Sequence, residues 1–279
     1  MPELPEVEVI RRDLEKEVVG RKVKAVDVTG MRTIRRYKQR KQFTGALIGK
    51  KITGVERRGK YLLLKLDGGD VLVIHLGMSG QLRRAAGTRE PVAKHTHVVI
   101  TFTQGGQLRF IDPRTFGEMF VTGLEGLEDE VDELKHLGMD PLETAMSWDR
   151  FGELVADRHA KLKVALMDQT FIAGIGNIYS DEILHHAGLR WDRMSDDLRP
   201  EEVRRLYRAV FEVLQDGVKY RGSSLADEQY VDLNGRKGAY QEHHQVYARE
   251  GQSCLRCRRS VIREKFSGRS TFYCPYCQV

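Results

Sequence analysis

Hydrophobic positions open the chain at helical spacing: Val7, Ile10, Leu14 and Val18 share one face, and Pro5 suits a first helical turn. A helix is therefore expected at the amino terminus. From Lys22 to about Val121 the pattern changes to short β-branched and aliphatic runs, 23–28, 61–66, 71–74, 97–102 and 108–111, broken by Gly and Pro turns. That pattern predicts an antiparallel, sandwich-like domain. An acidic stretch at 124–133 reads as a linker or short exposed helix, and helical periodicity then runs from Trp148 to about Tyr220. The Gly- and polar-rich segment 221–238 reads as a mobile loop, and no internal repeat is present. The expected class is α+β, with a β-rich first part and a mostly helical second part.

Length and composition fit this picture. A chain of 279 residues with 41% hydrophobic and 31% charged residues can build packed cores and is more easily read as two domains than as one. The longest apolar runs are far too short to span a bilayer, and Met1-Pro2-Glu3 lacks a signal-peptide profile, so no membrane association and a cytoplasmic location are expected. The formal charge is +6, unevenly spread. Residues 21–65 carry 15 basic against 2 acidic side chains, 118–157 carry 2 against 12, and 245–279 carry 7 against 2. Two basic lobes around an acidic middle suit a groove that follows a phosphate backbone, although charge runs are often only solvated faces.

All four cysteines lie in Cys254-Leu-Arg-Cys257 and Cys274-Pro-Tyr-Cys277. Paired thiolates at this spacing fit one tetrahedral zinc ion on two β-hairpin knuckles; two disulfides are the alternative, disfavoured because nothing points to secretion. Four thiolates leave no open position, so the zinc is expected to be structural, stiffening the hairpin that carries Arg263, Lys265 and Arg269. Such ribbons also serve non-enzymatic nucleic-acid binders. The amino terminus offers chemistry: removal of Met1 would present Pro2 as a secondary amine. An α-amino group titrates near pH 7.7–8, against about 10.4 for lysine, so more of it is nucleophilic at neutral pH. Its attack on a sugar C1′ gives an iminium, an electron sink for elimination, and Glu3 beside it can relay protons.

Several motifs carry a family resemblance: Met1-Pro-Glu-Leu-Pro-Glu-Val-Glu8, Gly59-Lys60-Tyr61, His75-Leu-Gly-Met-Ser-Gly80, Asp112-Pro-Arg-Thr-Phe-Gly117, Leu166-Met-Asp-Gln, Ala173-Gly-Ile-Gly-Asn-Ile-Tyr179 and Gly268-Arg-Ser-Thr-Phe-Tyr-Cys-Pro-Tyr-Cys-Gln278. In order and spacing they resemble bacterial formamidopyrimidine-DNA glycosylases along nearly the whole chain. The resemblance implies an amino-terminal β-sandwich catalytic domain over 1–132, a helix–two-turn–helix domain over 133–244 and a four-cysteine zinc finger over 245–279, with DNA bound in the cleft between lobes. It implies excision of oxidised purines, 8-oxoguanine and formamidopyrimidines, through a Schiff base on Pro2 followed by β,δ-elimination. Glu3 would be the general acid/base, Lys60 would assist β-elimination, and Arg269 would clamp phosphate at the lesion; a guanidinium is better suited to a phosphate fork than to donating a proton. No metal or organic cofactor is expected to join the chemistry.

By the same resemblance Met78, Arg114 and Phe116 fill the gap left when a base is extruded, as two apolar wedges and a hydrogen-bonding plug. Thr115 stands where many members have a second arginine. Asn177, at a Gly-rich turn that presents backbone N–H groups, with Lys163, Arg158, His75 and His95, would contact DNA. The loop with Ser223, Ser224 and Gly235 resembles the segment that covers the everted purine. The expected partner is double-stranded DNA containing oxidised bases or abasic sites, bound by a monomer associated with a bacterial nucleoid. Two alternatives stay open: an endonuclease VIII-type glycosylase for oxidised pyrimidines, against which Leu4 and the Arg114/Phe116 turn weigh, and a non-catalytic damaged-DNA-binding zinc protein.

Overall fold

The computed structural model describes residues 1–225 and 229–279; positions 226–228 of the 221–238 segment lie outside the described residues. Chain contacts divide it into two compact units, 1–135 with 221–239, and 136–220 with 240–279. Residues 221–225 and 229–239 thus pack with the first unit, although they fall inside the 133–244 span of the sequence-based division.

The first unit opens with α1 (Leu4–Val18), Pro5 in its first turn and Leu4, Val7, Ile10, Leu14 and Val18 buried. Then follow β1 (Val23–Val28), α2 (Arg40–Leu47), β2 (Ile52–Arg58), β3 (Tyr61–Leu66), β4 (Asp70–His75), β5 (Gln81–Ala85), β6 (Thr96–Phe102), β7 (Gln107–Ile111) and β8 (Glu118–Gly123). They form two antiparallel four-stranded sheets, ordered β1-β6-β7-β5 and β2-β3-β4-β8. Inward residues of both sheets join those of α1 and α2 in one core that includes Val26, Leu62, Leu72, Val98, Ile100 and Phe110. The strict in–out alternation of β6 is what a strand with one wet face requires. Sequence periodicity missed β2 because one of its inward positions is Arg57, fully buried. It also missed α2, β5 and β8. The acidic stretch holds α3 (Leu127–Glu130) and α4 (Asp132–Lys135), anchored by buried Leu127, Val131 and Leu134.

The second unit holds α5 (Trp148–Ala156), α6 (Leu162–Met167), α7 (Asn177–Ala187) and α8 (Pro200–Lys219), followed by the hairpin β9 (Ile262–Phe266) and β10 (Arg269–Tyr273). α7 is the central helix, packed on α6, α8 and β10. Gly188, left-handed at φ 70°, ends it, with its N–H bonded to the carbonyl of His185. Among the described residues no helix is long and apolar enough to cross a membrane.

Candidate nucleic-acid interface and catalytic residues

Pro2 and Glu3 are buried at the start of α1, whereas Met1 is half exposed. The backbone N–H of Glu3 donates to Glu6 Oε2 at 2.8 Å, and the other Glu6 oxygen accepts from the N–H of Ser223 at 2.8 Å. Glu6 thus ties the amino terminus to the first residues of the 221–225 segment. That segment is braced further: Ser224 Oγ donates to the carbonyl of Tyr230 and accepts from the N–H of Gly238. Arg221 pairs with Asp13 and Asp232.

Lys60 is half-buried in the turn between β2 and β3, which passes through Gly59 at φ 54°. Beneath it lies Arg57, which donates from Nη1 to the carbonyl of Gly59 at 3.1 Å and from Nε to Glu8 Oε2 at 3.0 Å. Because Glu8 is on α1, this buried guanidinium fixes the Lys60 turn to the helix that begins beside Glu3. Burial raises the Glu8 carboxyl, but hydrogen bonds from Arg11, Arg12 and Arg57 outweigh it and hold Glu8 below the usual carboxylate range.

His75 pairs with Tyr61 on one side and Glu118 on the other, its ring 4.6 Å from that of Tyr61. Burial, and then the charge of Lys60, push its pKa down to about 4. At neutral pH it is an uncharged imidazole, not a cation.

Met78, Arg114 and Phe116 lie on two neighbouring loops, with Met78 39% and Phe116 43% exposed. Neither apolar side chain is part of the core of the first unit. Two guanidiniums lie over the Phe116 ring, Arg114 at 5.2 Å and Arg32 at 5.9 Å from its centroid. Arg32 was not singled out by its sequence, since it is one of many cations between 21 and 65. His95 is exposed at φ 64°, and its carbonyl accepts the N–H of Asp112.

In the second unit Arg269 is exposed beside the Ser267-Gly268 turn, where both residues have positive φ. The carbonyl of the next residue, Ser270, accepts from Asn177 Nδ2 at 3.0 Å and from Lys163 Nζ at 3.4 Å. Lys163 is not a surface cation: it is buried and ion-paired with Asp181 at 2.6 Å. The other Asp181 oxygen accepts the N–H of Phe272 at 2.9 Å. Burial pushes the Asp181 carboxyl up against the opposing pull of Lys163. Arg158 pairs with Asp168 and lies over Phe171. A cavity of about 320 Å³ lined by Lys163, Val164, Met167, Phe266 and Arg269 opens between α6 and the hairpin turn.

The cysteines converge, with Cys254 and Cys277 sulfurs 3.9 Å apart, Cys257 and Cys274 sulfurs 3.5 Å apart, and all four within 4.8 Å. A tetrahedral ion with Zn–S of about 2.3 Å sets its sulfurs about 3.8 Å apart, whereas a disulfide requires about 2.05 Å. The donor set therefore fits one structural zinc ion, and His185 Nε2 lies 3.5 Å from Cys254 Sγ as an outer partner.

Residues 1–119 match the formamidopyrimidine-DNA glycosylase N-terminal domain, 137–229 the H2TH domain of the same enzymes, and 251–279 the zinc finger found in FPG and IleRS. The chain belongs to the formamidopyrimidine-DNA glycosylase family. It is 44% identical over its whole length to the formamidopyrimidine-DNA glycosylase of Pelotomaculum thermopropionicum, covering 99% of that relative. With the one from Heliobacterium modesticaldum it is also 44% identical, over the full length of both chains. Among solved structures, MutM (Fpg) of Thermus thermophilus superposes with a TM-score of 0.88 at 40% identity, covering 99% of this chain and 98% of that one. Lactococcus lactis Fpg bound to abasic-site DNA superposes with a TM-score of 0.90 at 34% identity, covering 99% of each.

Proposed function

We propose that this chain is a bifunctional DNA glycosylase and abasic-site lyase of base excision repair, acting on oxidised purines in double-stranded DNA. The observation that carries this reading is the tie between the buried start of α1 and the Lys60 turn through Glu8 and Arg57, within a chain whose relatives are formamidopyrimidine-DNA glycosylases along their full length. Solved relatives are named as complexes with Fapy-dG, carbocyclic 8-oxo-G or abasic DNA, and this substrate class is inferred here.

The steps follow from the residues. Once Met1 is removed, the Pro2 nitrogen attacks C1′, the glycosidic bond breaks, and the base leaves with a proton. Ring opening gives an iminium between Pro2 and the sugar, with Glu3 as proton relay. The cationic nitrogen accepts the electron pair released when a C2′ proton departs, so the C3′–O bond breaks; loss of a C4′ proton then breaks C5′–O. Lys60 assists the first elimination and Arg269 holds the adjoining phosphate. His75 and His95 of the first unit and Asn177 and Arg158 of the second contact the strand, and Lys163 acts through the carbonyl of Ser270. Cys254, Cys257, Cys274 and Cys277 would hold the zinc ion as thiolates, and the ion would cross-link the two knuckles and so stiffen the hairpin. Leu4 and the Arg114/Phe116 turn favour purines over the pyrimidine branch.

A monomer acting on chromosomal DNA in the cytoplasm is inferred as well. The test is strand scission on an 8-oxoguanine:cytosine duplex. A one-nucleotide gap with phosphate at both ends supports the reading; an intact strand, or cleavage only of a thymine-glycol duplex, contradicts it.

A further inference from the structure

We propose that Asp112 is a positioning residue that makes Met78, Arg114 and Phe116 a single preassembled wedge for base extrusion, and this rests on the glycosylase reading above. The topology carries the first part of the argument. β4 and β8 belong to one sheet and pair His75 with Glu118, while β5 and β7 belong to the other and pair Gln81 with Ile111. The loops 76–80 and 112–117 therefore cross between the sheets in opposite directions, and strand register anchors both ends of each to the other. A shift of either loop would have to break pairing in two sheets.

Asp112 carries the second part. It is fully buried between the loops, and its carboxylate accepts from Ser79 Oγ at 2.5 Å on one loop. It also accepts from the N–H of Arg114 at 3.2 Å and that of Gly117 at 2.7 Å on the other. Its own carbonyl meets His97 Nε2 at 2.8 Å. An ionised carboxylate can take this many donors, and charge-assisted bonds of this kind are about twice as strong as neutral ones.

Close packing completes the joint. Gly77 has φ 62°, and a Cβ there would lie 2.6 Å from the backbone of Phe116 and Gly117, so the two main chains touch where Met78 projects. Thr115, β-branched, is held at φ 56°, a conformation that survives only where its surroundings dictate it. Two exposed apolar side chains and a guanidinium are thereby mounted on a scaffold with no freedom to retract separately. Insertion should behave as one event instead of three.

The experiment uses the full-length, zinc-loaded protein and Asp112→Asn, which keeps shape but offers one carbonyl oxygen where two carboxylate oxygens served three donors. Two readouts are taken: single-turnover cleavage of 8-oxoguanine:cytosine and of a preformed abasic duplex, and fluorescence of 2-aminopurine placed beside the lesion, which rises on unstacking and needs no turnover. The expected result is at least a tenfold loss of base excision and of the fluorescence rise, abasic cleavage within threefold of wild type, and an intermediate loss of about threefold for Ser79→Ala. Unchanged excision and fluorescence, or a parallel fall of both cleavage activities, would overturn the proposal. Should the Asn variant not fold, a cycle of Met78→Ala and Phe116→Ala decides: one wedge predicts a double variant no worse than threefold below the weaker single variant, and additive losses contradict it. A wild-type protein that raises the fluorescence but cuts neither duplex would sink the glycosylase reading and leave the wedge standing.

Discussion

At the scale of single residues, the side chains that brace the candidate site are charged groups inside the protein. Arg57 has no exposed side-chain surface and is paired to Glu8, yet it joins the Lys60 turn to α1. A position that breaks the apolar alternation of a strand is where sequence reading fails, because the code that normally marks an inward position is hydrophobicity. Buried histidines add a pH dependence. Burial followed by the charge of Lys60 lowers His75, and burial dominates for His244; each is held at about 4. Between that value and the ordinary 6.5 the unfolded chain takes up protons that the folded chain refuses, so these groups favour the fold above pH 6.5. Their share of the stability should therefore fall as pH drops from about 6.5 towards 4, read as a steeper loss of urea midpoint in the wild type than in His244→Gln; identical slopes would contradict the burial of that ring.

At the scale of elements, α7 organises the second unit through residues four apart on one face. Asn177 bonds the carbonyl of Ser270, Asp181 takes the N–H of Phe272, and His185 reaches Cys254. The adjoining Glu182 accepts three backbone N–H groups from residues 245–247, fixing the other end of the finger. The i, i+4 spacing was present in the sequence, but only Asn177 stood out there, because a carboxylate on a helix reads as a solvated face until its partner is known. Asp181→Ala would remove the carboxylate that faces the buried Lys163 ammonium and accepts the N–H of Phe272, and so release β10. A loss of about 3 kcal/mol in the unfolding of the second unit is expected, since breaking a buried pair typically costs that much. Duplex affinity should weaken with it through Arg269. Calorimetry and a binding titration check both, and unchanged values would show that the pair does not hold the hairpin.

At the scale of the whole molecule, the order of motifs in the chain proved more informative than any periodicity. The sandwich and its amino-terminal helix were legible because their core positions alternate or recur cleanly, as in β6 and α1. The packing of 221–239 with the first unit was not, since a Gly-rich loop carries no pattern that names its neighbours. The finger was legible from cysteine spacing alone, and its small core of Val246, Val261 and Phe272 explains why it needs the metal. Chelation should unfold the finger, lower duplex affinity at least tenfold, and flatten the salt dependence by about one unit of log–log slope for each phosphate the finger no longer neutralises. The transition of the first unit should stay where it is. Retained affinity in metal-free protein would show that the hairpin cations do not bind DNA.

The central claim is that an amino-terminal proline amine forms the covalent intermediate. Its most direct test is borohydride reduction during reaction with an 8-oxoguanine:cytosine duplex, followed by intact mass and peptide mapping of the trapped complex. The account predicts one DNA adduct per chain, on an amino-terminal Pro2 with Met1 absent, and its disappearance in Pro2→Gly carrying a retained Met1. An adduct mapped to Lys60 or any other amine, or no adduct from protein whose Met1 has been removed, would contradict it.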